Sequence, residues 1–111
     1  MAKTSIPKET QQEVVEIIKK FNQKVYGDSL KSVSFLAEFK GKYLYLKRWE
    51  YGKIAPIARL TYNGDMKNWD FAIFKWSRER YDPDEWLFPG SEYLDGTIEG
   101  AMKAGLEAYP V

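Results

Sequence analysis

The period of the apolar positions along this chain shifts from near four to two, and back to near four at the end. Val14, Ile17, Ile18, Phe21 and Val25 recur at spacings of three and four, which places them on one face of a helix. Pro7 suits the first turn, with its fixed φ and no amide to leave unpaired, and Ser5 or Ile6 stands at the entrance. The helix is expected to end near Tyr26, with Gly27 as a left-handed cap. Its opposite face carries Gln12, Glu13, Glu16, Lys19, Lys20 and Gln23, a solvated surface on which Glu16 precedes Lys20 in the favourable order for a helix pair.

From Val33 the period becomes two. Val33, Phe35, Ala37 and Phe39 alternate with Ser34, Leu36 and Glu38, as in a half-buried strand, and Lys40 and Gly41 mark a turn. A loop of two or four residues puts Leu44 and Leu46 on the face of Phe35 and Ala37, leaving Tyr43, Tyr45, Lys47 and Trp49 on the other. A three-residue loop would exchange the faces. At Tyr51-Gly52-Lys53 only a loop of odd length keeps the faces consistent: Ala58, Leu60 and Tyr62 then join Leu44 and Leu46, while Ile57, Arg59 and Thr61 stand beside Tyr45, Lys47 and Trp49. Pro56 cannot donate to a ladder and belongs near a strand's start or at an edge. Asn63-Gly64-Asp65 is a turn signal. In residues 69–77 both alternate sets are apolar. Assigning Phe71 and Ile73 to the helices puts Asp70, Ala72, Phe74 and Trp76 on the face of Tyr45 and Arg59, where Asp70 is placed to meet a cation.

Residues 78–96 read as a long connection, too rich in aromatic residues to be a floppy linker. Trp86, Leu87, Phe88, Tyr93 and Leu94 need burial, so the segment is expected to wrap across the sheet or its edge, with a helical turn after Pro83. Thr97 is a suitable N-cap, with Glu99 in the first turn, for a helix whose Ile98, Ala101, Met102, Gly105, Leu106 and Tyr109 share one face. Pro110 stops it. Gly100 and Gly105 each weaken a helix by about 1 kcal/mol relative to Ala, which points to close packing on that face.

The expected fold is therefore a single two-layer α+β domain over residues 1–111, a four-stranded antiparallel meander flanked by N- and C-terminal helices, with residues 1–5 disordered. At 111 residues, 44% of them hydrophobic, the chain is long enough to bury a core without metal or disulfide support. The chain has no Cys and no His, which excludes histidine-based triads, Cys/His zinc sites and the usual near-neutral proton carrier. No apolar run approaches a membrane span and the N-terminus has no apolar signal core, so a cytoplasmic protein is expected. Seventeen Lys and Arg stand against sixteen Asp and Glu, so the net charge is only +1 and there is no global field to hold a polyanion. The charge is uneven: residues 1–53 hold 11 cations and 6 anions, and residues 54–111 hold 6 and 10.

Three constellations bear on chemistry. Tyr43, Tyr45, Lys47, Trp49, Arg59 and Trp76 place rings beside cations on one sheet face, a composition that suits a protein partner, a small planar ligand or single-stranded nucleic acid, and that packing or self-association also explains. Homodimerisation through this face is the simplest cover for it. Asp82, Asp84 and Glu85 gather three carboxylates that would suit a hard cation in a small metal-dependent hydrolase, although Asp82-Pro83 also reads as an ordinary turn and the spacing is not that of a calcium loop. Gly90, Gly96 and Gly100 lack the spacing of a phosphate-binding loop. A non-enzymatic binding module without cofactor is the expected class.

The order helix, strands, helix resembles in outline the double-stranded RNA-binding domain. That family carries a basic cluster at the start of its last helix, where this chain has Thr97-Ile98-Glu99-Gly100 after Asp95, so the resemblance does not carry the family's phosphate contacts with it.

Overall fold

The computed structural model describes residues 5–27, 32–84 and 88–109. Expectations placed on Trp86, Leu87 and Pro110, and the disorder expected of residues 1–4, fall outside these residues. Two helices, α1 (Lys8–Tyr26) and α2 (Ile98–Ala108), lie on one face of an antiparallel sheet of five strands in sequential order: β1 (Val33–Lys40), β2 (Tyr43–Glu50), β3 (Lys53–Thr61), β4 (Asp70–Lys75) and β5 (Arg80–Asp82). The architecture is the expected α+β layout with one strand more. β5 follows a turn over residues 76–79 and pairs Ile73 with Asp82, Phe74 with Tyr81 and Lys75 with Arg80. Three residues are too few to show a period, and the charged Arg78, Glu79 and Arg80 conceal it.

The β1–β2 hairpin has a two-residue turn, so Phe35 faces Arg48, Ala37 faces Leu46 and Phe39 faces Leu44. The β2–β3 turn is also two residues long, Tyr51-Gly52, both with positive φ (48° and 94°), as the tightest hairpins require. An odd loop is therefore not what keeps the faces consistent. The extra residue lies inside β3, where pairing passes from Leu46 and Ala58 to Lys47 and Pro56, with Ile57 between them. A bulge of one residue moves the side-chain phase as one loop residue would. It also accommodates Pro56 in the middle of the sheet, where an unbroken ladder would need its missing N–H. Ile57 thus turns into the core instead of standing outward beside Arg59, and lies against Gly105 of α2.

The core joins Val14, Ile18 and Phe21 of α1 to Phe35, Leu44, Leu46 and Leu60 of the sheet and to Ile98 and Met102 of α2. A Cβ on Gly105 would stand 2.7 Å from Ile57 Cγ2, so the glycine does permit close approach of helix and sheet. Thr97 caps α2, its Oγ1 accepting from Gly100 N–H at 3.0 Å. The Thr97 hydroxyl donates to Asp95 at 2.6 Å, which holds the Asp95 carboxyl below the ordinary carboxylate range. In α1 the inward row ends on Asn22, buried, whereas Val25 is exposed.

A cation, Arg48, lies in this core. Arg48 is 2% exposed, its guanidinium 5.6 Å from the Phe35 ring, with Nε donating to Glu50 at 2.6 Å and Nη2 to the Tyr109 carbonyl at 2.5 Å. Tyr109 closes α2, and Tyr26 ends α1 close enough for the cation to oppose the upward pull of burial on its hydroxyl. Neither Arg48 Nη1 nor the Tyr26 hydroxyl has a well-formed hydrogen bond among the described residues. The cation sits near the negative ends of both helices, where their dipoles favour it.

Candidate functional site: the outer face of the sheet

The side of the sheet away from the helices carries Tyr43, Tyr45, Lys47 and Trp49 from β2, opposite Thr61, Arg59, Pro56 and Ile54 of β3. Asp70 and Ala72 of β4 continue the Thr61 and Arg59 rows, and Tyr81 of β5 stands opposite Phe74. Tyr45 and Tyr81 are on strands three spacings apart, about 14 Å in a flat sheet. Their ring centroids are 5.5 Å apart, so the sheet curls toward this face and β5 forms a rim. Phe74 meets Tyr81 edge to face at 5.1 Å, and Tyr43 lies 6.2 Å from Tyr45.

Arg59 occupies the centre of this bowl. Its guanidinium carbon lies 4.9 Å from the Tyr43 centroid and 5.7 Å from that of Tyr81. It makes no ion pair among the described residues, and its buried Nε has no hydrogen-bond partner there. The rings therefore hold the cation in place, by their negative faces. Burial pushes the Tyr81 hydroxyl up, and neighbouring Tyr45 adds to this, while Arg59 opposes it. Lys42 stands 5.4 Å from the Tyr43 ring and Lys40 5.9 Å from that of Tyr45. Lys47 donates to Glu38 in a close ion pair, Lys40 lies 3.9 Å from the same carboxylate, and the Glu38 carboxyl is held below its ordinary range, mainly by the Lys47 bond. Asp70 is exposed and makes no ion pair among the described residues, so the expected cation does not reach it.

Of the six residues singled out in the sequence, the fold brings Tyr43, Tyr45 and Arg59 into contact, with Lys47 beside them and Trp49 farther along β2 opposite Ile54. Trp76 stands at the margin: in the turn after β4 it meets Phe74 edge to face at 5.0 Å and also lines a cavity of about 280 Å³ with Arg48, Glu50, Ile57 and Tyr109 at the end of α2. Tyr81 completes the cluster but was hidden in the presumed loop.

Of residues 78–96, Tyr81 and Pro83 border the bowl, Pro83 lining a hollow of about 220 Å³ with Arg59, Thr61 and Ala72, whereas the described residues 88–96 pack elsewhere. Phe88 stacks on Phe71 at 5.9 Å, Gly90 is pressed against Ala104 and Glu107 of α2, and Trp69 N–H donates to the Gly96 carbonyl at 2.9 Å. Phe71, Trp69 and α2 all belong to the helical layer, so 88–96 seal that layer. Among the described residues no three acidic side chains converge as a metal site. Asp82 is buried, accepting from Asp84 N–H at 3.0 Å and from Arg78 at 3.3 Å, and Glu85 lies outside the described residues. No described helix is long and apolar enough to cross a membrane. No protein-family model, curated protein or solved structure matches the chain.

Proposed function

We propose that this chain is a non-enzymatic protein-interaction module whose contact surface is the curled outer face around Arg59. The observation that carries this reading is the Arg59 guanidinium, fixed between Tyr43 and Tyr81 on the sheet face away from the helices, without a carboxylate among the described residues. Tyr, Trp and Arg in such a setting are the residue types that anchor protein interfaces, and a guanidinium already held by rings loses little entropy when it meets an anion.

Charge selects the kind of partner. Among the described residues Lys40, Lys42, Lys47 and Arg59 outnumber Glu38 and Asp70 on this surface, so two copies meeting face to face would bring like charges together. A different protein presenting acidic and apolar side chains fits better than a second copy. Base stacking is less favoured, because Arg59 and Lys42 stand at the Tyr43 ring and Lys40 at that of Tyr45, and the two rings are inclined at 53°.

The test uses the full chain as bait in extracts of its own cells, beside the Trp49→Ala/Arg59→Ala variant, with circular dichroism to confirm that both fold. Proteins held by the wild type in a salt-sensitive manner and lost from the variant are expected. Equal retention by both baits, or a wild-type chain that only dimerises through this face in sedimentation, overturns the reading.

A further inference from the structure

β1 is one edge of the sheet, and one of its residues is already paired as if a further strand lay beside it. Phe35 N–H donates to Asn22 Oδ1 at 2.8 Å and the Phe35 carbonyl accepts from Asn22 Nδ2 at 3.1 Å. Both main-chain groups of Phe35 therefore point away from β2. In an antiparallel ladder this direction alternates, and β1 pairs with β2 without a register shift, so the N–H and C=O of Ala37 and Phe39 point outward as well. Neither residue's outward groups have a partner among the described residues. Beside them α1 leaves two adjoining hollows. One, of about 600 Å³, is lined by Lys8, Gln11, Val15 and Phe39; the other, of about 370 Å³, by Val15, Ile18, Asn22, Phe35 and Ala37. Val15, common to both, is 47% exposed.

We infer that this groove between α1 and β1 takes an extended peptide from another polypeptide, added as a sixth strand beside Ala37 and Phe39. Such addition draws affinity from main-chain bonds and selectivity from pockets for alternate side chains. The incoming strand needs apolar residues at alternate positions, to lie over Val15, Ile18 and Phe39. A second copy of β1 fits poorly. Pairing Ala37 with Phe39 across a two-fold axis sets Glu38 directly opposite Glu38, pairing Ala37 with Ala37 brings Phe39 onto Phe35, whose groups Asn22 holds, and pairing Phe39 with Phe39 brings Ala37 onto Gly41, whose carbonyl already accepts from Ile6 N–H. This site is independent of the outer face and of the function proposed for it.

A random peptide library displayed on phage, selected against the immobilised full chain, supplies the probe; the selected peptides are then synthesised and titrated. Three variants separate the possibilities. Ala37→Pro removes the outward N–H while leaving the β1–β2 ladder intact, Val15→Glu places a charge in the groove, and Arg59→Ala alters only the other surface. Peptides with alternating apolar residues are expected to lose affinity by about tenfold or more in each of the first two variants, the cost of one unsatisfied buried group, and to be unaffected by the third. On peptide binding the Ala37 and Phe39 amides should also become protected from hydrogen exchange. Failure to enrich any peptide, equal binding to Ala37→Pro and Val15→Glu, or dependence on Arg59 alone would overturn the inference.

Discussion

The side chain of Asn22 stands in for a strand at Phe35, accepting from its N–H at 2.8 Å and donating to its carbonyl at 3.1 Å. A helix thus closes part of a sheet edge and fixes the distance between the two layers. Asn22→Leu would fill similar space but strand two buried main-chain groups, so it should destabilise the fold by about 3 kcal/mol. Urea unfolding measures this, and a loss smaller than about 1 kcal/mol would show that water replaces the amide without penalty.

Gly105 is required by Ile57. Alanine there gains about 1 kcal/mol of helix propensity, but its methyl would meet Cγ2 of a β-branched residue that has little freedom to move, and overpacking costs about 1–3 kcal/mol. Gly105→Ala should therefore lower the thermal midpoint. In a double-mutant cycle with Ile57→Ala the two changes should be strongly coupled, since the second removes the atom that the first strikes.

Arg48 joins the ends of both helices to the sheet. Arg48→Met leaves Glu50 and the Tyr109 carbonyl without their donor and should cost about 3 kcal/mol in chemical denaturation. Adding Glu50→Gln removes the stranded charge, so the double variant should recover part of that loss.

Glu38 and Asp95 carry carboxyl groups held below their ordinary range, by Lys47 and Thr97 respectively. A carboxyl depressed in the folded state stabilises it above the unfolded value, and that contribution is lost as pH falls through the folded value. Stability should therefore fall on acidification below about pH 4.5. The Glu38→Gln and Asp95→Asn variants should each show a shallower acid slope than the wild type in denaturation curves recorded across that window.

Much of the fold was legible because burial enforces period. The alternation of β1 and β2, the inward Phe71 and Ile73, and the capping Thr97 all appear where the pattern put them. Two departures have a common cause. The β3 bulge and the strand β5 are set by non-local pairing: a bulge and an odd loop produce the same faces, and Arg80–Asp82 becomes a strand only because β4 lies beside it. The inward places of Asn22 and Arg48 were present in the pattern, four residues after Ile18 and two after Leu46. Polar identity concealed them, since only the peptide groups and helix ends they meet in the fold explain their burial. On the outer face the rows of Tyr45 and Arg59 were readable, while the curl that brings Tyr81 to them, and the turn that sets Trp76 at the margin against Phe74, were not.

Hydroxyl-radical footprinting of the full chain, alone and with a protein that it retains, tests the role of the outer face most directly. Protection is expected at Tyr43, Tyr45, Trp49 and Tyr81, with Tyr93 unchanged. Protection at Tyr93, with the four outer-face residues oxidised as readily as before, would contradict it.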